Sequence, residues 1–166
     1  MATTFTRADP AALSTVIDGV ATTGLRNLAT NTCRLGPEID PGATPPLIST
    51  YQLTAKFGAN ITANLVVAQC WFILDVGDSG TYATIGAASD GSTTVYPAWA
   101  PDFQFTWDAG TAHAGAPDVM QSIPREVARP GVPHKVLLRN VSGQTTTNAN
   151  NTDTILKEST INDLGT

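Results

Sequence analysis

The sequence contains few charged residues. Asp, Glu, Lys and Arg make up 14% of its 166 residues, whereas a typical soluble domain has roughly 25%. Only nine residues are Lys or Arg, the net charge is −5 and no basic cluster occurs, which argues against a nucleic-acid-binding surface. Hydrophobic residues still make up 42%. The composition therefore predicts a folded domain with a polar but mostly uncharged surface.

Long apolar runs are also missing. The longest run, residues 65–74, is interrupted by Gln69 and is about half the roughly 20 residues that a membrane-spanning helix needs. Residues 1–9 contain no apolar stretch that could form the core of a secretion signal. We therefore expect a protein made in the cytoplasm that has no membrane partner.

Cysteine is scarce as well. Cys33 and Cys70 are the two cysteines of the chain, too few for a disulfide framework or a thiolate metal site. In a reducing cytoplasm they are expected to be buried, reduced thiols that pack as small hydrophobic side chains. A disulfide between them is the alternative if the mature protein meets an oxidising environment.

Threonine and alanine are abundant, with 25 and 22 residues. Threonine is β-branched and favours strands. Residues 47–57 alternate between apolar and polar side chains, as in a half-buried strand, and residues 65–76 are apolar on both faces, as in a central strand covered on both sides. Further strands are predicted at 103–108, 134–141 and 154–161.

Seven or eight short strands separated by turn residues predict an all-β fold, a single β-sandwich domain of jelly-roll type over residues 1–166. Residues 1–12 are expected to form an extended N-terminal arm, and residues 31–46 have a composition that suits a second arm. Residues 145–153 are a predicted polar loop before the last strand.

Residues typical of catalytic sites are sparse and poorly grouped. His113 and His134 belong to no metal-ligand spacing, and no nucleophile elbow or phosphate-binding loop occurs. Most aspartates fall in predicted turns, where they need no catalytic role. Residues 75–80 resemble a calcium loop but have too few oxygen ligands. The sequence thus predicts no catalytic, cofactor-binding or metal-binding residues and a protein that is not an enzyme.

Tryptophan offers one candidate contact residue. Trp71 lies in the most apolar predicted strand and Trp107 alternates with other aromatic residues, so both are expected in the core. Trp99 lies between prolines in a predicted loop. It is the candidate contact for a glycan or a neighbouring subunit, although a loop aromatic of this kind also commonly plugs the end of a sandwich.

One segment resembles a known group of proteins. Residues 130–144 read Pro-Gly-Val-Pro-His-Lys-Val-Leu-Leu-Arg-Asn-Val-Ser-Gly-Gln. This proline-led strand, its Asn-x-Ser-Gly turn and the polar loop that follows resemble the C-terminal part of small β-sandwich virion proteins of tailed bacteriophages. The Thr/Ala/Gly/Ser-rich, weakly charged composition is similar too. The resemblance implies a structural role in the virion.

Among such proteins we expect a capsid decoration or cement protein. It would bind the major capsid protein or other virion subunits of the assembled shell and form a homo-oligomer, most simply a trimer. Another virion component, of the tail, neck or head fibre, is an alternative, as is a carbohydrate-binding β-sandwich module that uses Trp99. A small hydrolase would require two carboxylates or a histidine-centred pair in one pocket.

Overall fold

A computed structural model describes the chain in segments: residues 14–19, 24–43, 46, 48–57, 66–75, 92–93, 97–106, 120–122, 124–147 and 154–161. The expected N-terminal arm (1–12), Trp107, His113 and residues 76–80 of the calcium-like segment lie outside these ranges.

The described residues form ten β-strands. They are β1 (Ser14–Ile17), β2 (Cys33–Ile39), β3 (Ile48–Ala55), β4 (Val66–Leu74), β5 (Ser92–Thr93), β6 (Phe103–Thr106), β7 (Met120–Gln121), β8 (Arg125–Ala128), β9 (His134–Asn140) and β10 (Ile155–Ile161). In this part of the chain no helix has the length and hydropathy required to cross a membrane.

The strands form two antiparallel sheets. In the first, which we call the β3 sheet, the order is β1-β10-β3, and β7 and β8 both pair with the free edge of β3. In the second, the β4 sheet, the order is β5-β2-β9-β4-β6. The chain passes from one sheet to the other between β1, β2, β3 and β4, and again between β6, β8, β9 and β10. This arrangement is the jelly roll that the sequence predicts.

The alternation of residues 48–57 is confirmed. Tyr51, Leu53 and Ala55 of β3 are buried, and Gln52 and Thr54 between them are half-buried. Because successive strand residues point to opposite faces, the apolar set faces the β4 sheet. Burying that set provides the main driving force for the two sheets to pack.

The prediction of a central strand covered on both faces is also confirmed. Phe72 and Cys70 of β4 belong to the core between the sheets, whereas Trp71 belongs to a second buried cluster with Cys33 and Leu35. The two cysteines are free and buried. They pair with successive residues of β9, so they lie on opposite faces of the sheet, which separates their sulfur atoms.

The expectation of an extended arm at 31–46 is wrong for its central part. Residues 33–39 form β2, which pairs with both β5 and β9. An irregularity between Leu35 and Glu38 interrupts the pairing at Gly36 and Pro37, and this break obscures the alternation in the sequence. A Cβ on Gly36 would lie 2.9 Å from Cγ1 of Ile17, so glycine permits the close approach of β1.

The sandwich has two ends. At the first, β2 and β4 finish where β9 begins, since both Ile39 and Leu74 pair with His134; we call this the His134 end. At the opposite end β9 finishes at Asn140 and meets the connection between β1 and β2; we call this the Asn140 end.

Candidate functional site

Trp99 is the candidate contact residue from the sequence, and the structure exposes it. Its side chain is 53% accessible to solvent, an unusual state for the largest apolar side chain. The neighbouring Ala98 and Ala100 are also exposed, and their methyl groups are too short to shield an indole. Trp99 therefore does not plug the sandwich; it presents an aromatic surface to solvent.

Three hydrogen bonds fix the loop at Trp99 and at Asp102, three residues further along the chain. The Trp71 Nε1–H donates to the Trp99 carbonyl oxygen at 3.1 Å. The Phe72 amide donates to Asp102 Oδ2 at 2.7 Å, and the Asp102 amide donates to the Cys70 carbonyl at 2.9 Å. The loop that carries the indole is thus tied to β4. We call these three bonds the β4 latch.

Among the described residues, three large apolar side chains besides Trp99 are exposed, and all three lie at the His134 end. Ile48 begins β3, Leu74 ends β4 and Val132 lies between β8 and β9; they are 37%, 41% and 45% accessible. Leu74 and Val132 are held near each other because the Asp75 amide donates to the Pro133 carbonyl at 2.9 Å. Together with Trp99, they are the exposed large hydrophobic residues of the part of the chain that the structure describes.

The described residues are nearly balanced in charge. They include eight Lys or Arg residues and seven Asp or Glu residues, although the whole chain has a net charge of −5. The negative excess therefore belongs to the rest of the sequence. An excess of one charge repels neighbouring copies and partners of the same charge. The described residues, with nearly equal numbers of positive and negative side chains, are therefore the part of this protein best suited to close contact.

A polar cluster is buried between the sheets at the His134 end. Glu158 of β10 is 4% accessible, and its Oε1 accepts hydrogen bonds from Ser49 Oγ at 2.5 Å and Tyr51 Oη at 2.9 Å. Arg129 Nε lies 3.3 Å from the same oxygen. Burial, and next the Glu158 charge, raise the pKa of the Tyr51 phenol above its ordinary range. These partners satisfy a carboxylate that would otherwise be costly to bury.

His134 lies beside this cluster and is fully buried. Its ring packs edge-on against Phe72, with ring centroids 5.3 Å apart. Nδ1 is 2.9 Å from the Val132 carbonyl oxygen, so Nδ1 carries the proton and Nε2 is left as an acceptor. Nε2 is buried and has no hydrogen-bond partner among the described residues. Burial lowers the pKa of this imidazole.

The Asn140 end is closed by neutral groups. The Asn140 Nδ2 donates to the carbonyl oxygens of Leu28, at 2.8 Å, and Gln144, at 2.7 Å. Its Oδ1 accepts from the Ser142 amide at 3.0 Å and from the Ser142 hydroxyl at 2.7 Å. Gly143 follows with a φ of +80°, a conformation that glycine adopts readily. The Asn-x-Ser-Gly motif is therefore a side-chain-stabilised turn.

Two observations bear on chemistry within the described residues. The Glu158 carboxylate is enclosed by Ser49, Tyr51 and Arg129 and has no second carboxylate among its hydrogen-bond and ion-pair partners, so the pairing required for a hydrolase is not formed there. These residues also include no group of three His, Cys, Asp or Glu side chains that could hold a metal ion. The expectation that the protein is not an enzyme stays a prediction.

The sequence pattern did not predict the Glu158 cluster. A signal was present, because Leu156 and Glu158 are two residues apart in a strand and so share its inner face. Nothing in the sequence showed that Tyr51 lies opposite Glu158, a register that the β3–β10 pairing creates.

Comparison with protein-family models, curated proteins and solved structures found no match to this chain.

Proposed function

We propose that this protein is a structural subunit that docks onto other proteins, and specifically a bacteriophage virion protein of the capsid decoration or cement type. Exposed, latched Trp99 is the observation that supports this function most directly. Tryptophan is enriched among the residues that dominate protein interfaces. A side chain whose loop is already ordered loses less conformational entropy when it binds.

The nearly balanced charge of the described residues supports the same function. A surface with few charges needs little desolvation of ions on docking. Weak contacts that repeat over a symmetric shell add up to strong attachment. The exposed apolar side chains at the His134 end, Ile48, Leu74 and Val132, offer further contact area, either for the shell or for neighbouring copies in a trimer.

The proposal can be tested with phage particles that lack the protein. Cryo-electron microscopy of these particles should show shells without a surface layer, and purified protein added back should restore it. Unchanged decoration in the absence of the protein would contradict the proposal.

A point variant makes the test specific to the indole. Trp99→Ala should weaken co-sedimentation with undecorated shells by about 30-fold, the effect of losing an interface residue worth about 2 kcal/mol. Thr145→Ala, which changes an exposed residue at the Asn140 end, should bind as the wild type does. Equal binding of the two variants would remove Trp99 from the interface.

A carbohydrate-binding module is the second candidate, because an exposed indole also stacks on sugar rings. In that case the wild-type protein, but not Trp99→Ala, should bind members of a glycan array, and undecorated shells should not bind it. Binding to shells without any glycan signal favours the docking function.

A further inference from the structure

Residues 129–133 connect β8 to β9 and carry the exposed Val132 side chain. We call this segment the β8–β9 turn. Two contacts fasten it to the sandwich: His134 Nδ1 donates to the Val132 carbonyl, and the Asp75 amide of the β4 end donates to the Pro133 carbonyl. Arg129, at the start of the turn, is paired with Glu158.

The His134 ring occupies a site built for its neutral form. The ring is fully buried, and its Nε2 has no hydrogen-bond partner in the described part of the chain. A proton on Nε2 would add a donor and a positive charge to a position where these residues offer no acceptor. Burying such a group without a partner is strongly unfavourable.

Charged neighbours of the ring do not offset this cost. Arg129 disfavours a second positive charge, and Glu158 favours it, but burial is the largest influence. The Glu158 Oε1 is already engaged by Ser49, Tyr51 and Arg129. On the neighbouring strands, the residues that pair with His134 are Ile39 and Leu74; the carboxylates next to them in the sequence are Glu38, Asp40 and Asp75.

We propose that neutral His134 is an acid-sensitive latch for the β8–β9 turn: once protonated, the ring moves out to water, gives up its bond to the Val132 carbonyl and opens the turn, while the Asn140 end stays closed. The direction of this pH effect follows from the proton affinities of the two forms of the turn. The open form binds the proton at the ordinary histidine pKa, near 6.5, whereas the closed form binds it only at lower pH. The closed turn is therefore most stable above that pKa. As the pH falls below it, the equilibrium constant for closing the turn decreases by up to tenfold per pH unit.

Hydrogen exchange at single amides tests the latch directly in the wild-type chain. The Asp75 amide reports on the turn, because it donates to Pro133, and the Ser142 amide is a matched reporter at the Asn140 end. Between pH 7 and 5.5, exchange at Asp75, corrected for its intrinsic rate, should accelerate several-fold while Ser142 stays constant. Equal acceleration at both amides, or none at Asp75, would overturn the latch.

Two variants test whether the acid-dependent exchange at the Asp75 amide is caused by the His134 ring. The chain has two histidines, so His113→Asn is the matched control for His134→Asn. Asparagine at position 134 can still donate from the place of Nδ1 but does not titrate. The acid acceleration at Asp75 should persist in His113→Asn and disappear in His134→Asn; persistence in both contradicts the proposal.

A third measurement requires no variant at position 134. In ¹³C-histidine-labelled wild-type protein, the His134 ring should titrate below the ordinary histidine pKa, and its resonance should be assigned by its retention in His113→Asn. Titration of His134 at or above the ordinary value would overturn the latch even if His134→Asn failed to fold.

Discussion

The two ends of the sandwich are closed by different chemistry. The His134 end buries an ion pair, Glu158 with Arg129, and a neutral imidazole. At the Asn140 end, the side chains of Asn140, Ser142 and Thr146 bond to main-chain groups and to one another. Asparagine, serine and threonine do not titrate, so those contacts are insensitive to pH. The buried ion pair and the buried imidazole thus lie at the same end of the sandwich.

Exposed apolar surface follows the same division. Ile48, Leu74 and Val132 surround the His134 end, whereas exposed residues of the described Asn140 end are polar or small, such as Asn27, Asn31 and Gly143. The end that carries the proposed acid-sensitive latch therefore also carries the exposed large apolar side chains of the described residues other than Trp99. Substitutions can sharpen this comparison, and their expected effects decrease from the buried ion pair to the cysteines.

Glu158→Ala should cost the most stability, about 3–5 kcal/mol, because it leaves Arg129 buried without its carboxylate. Urea unfolding at pH 7 measures this loss. The control is Glu126→Ala, which removes an exposed glutamate and should change stability by less than about 0.5 kcal/mol. Similar losses in the two variants would mean that the buried ion pair does not support the His134 end.

A double variant distinguishes the cost of leaving one buried charge unpaired from the contribution of the ion pair itself. Replacing both members of the pair, Arg129→Met with Glu158→Leu, should be less destabilising than Glu158→Ala alone, because no buried charge is left unpaired. A double variant that is less stable than the single one would show that the ion pair itself stabilises the fold.

Asn140→Ala should cost about 2–3 kcal/mol, since the Leu28 carbonyl and the Ser142 amide lose their partner, while the Ser142 hydroxyl can still donate to the Gln144 carbonyl. The loss should be the same at pH 7 and pH 5.5, as expected for an end closed by neutral groups. A loss that depended on pH would break the comparison between the ends. Thr145→Ala, an exposed neighbour, is the control.

Trp71→Phe should cost about 1 kcal/mol through its lost hydrogen bond to the Trp99 carbonyl. Its main effect should be local, because the β4 latch lies on the outer face of the β4 sheet and at neither end. Hydrogen exchange at the Asp102 amide, which donates to the Cys70 carbonyl, should accelerate in this variant. Unchanged exchange would show that the other two bonds of the latch are sufficient.

The cysteines should have the smallest effect. Burial raises the pKa of Cys33 to about 11, against the influence of Arg139, and raises that of Cys70 well above its ordinary value. Because the thiolate is the reactive form, neither should react with a disulfide reagent at pH 8 unless urea is added. Rapid reaction in the folded protein would show that the β4 sheet opens.

The two-residue periodicity of the strands was the part of the sequence that predicted most of the fold. The alternation around Tyr51 and the doubly apolar run around Trp71 located β3 and β4, and turn residues between strands indicated the jelly roll. β2 was missed because Gly36 and Pro37 interrupt its pattern at an irregularity in the pairing. Trp99 was found because two prolines placed it outside any strand.

The sequence by itself determined the β class, the weakly charged composition and the loop position of Trp99, because these depend on composition, two-residue periodicity and proline, all of which are local. Tertiary structure alone decided which residues meet. Glu158 faces Tyr51 and Arg129, and His134 faces Phe72, only because strands distant in sequence pair in one register. The difference between the two ends is a product of that long-range pairing.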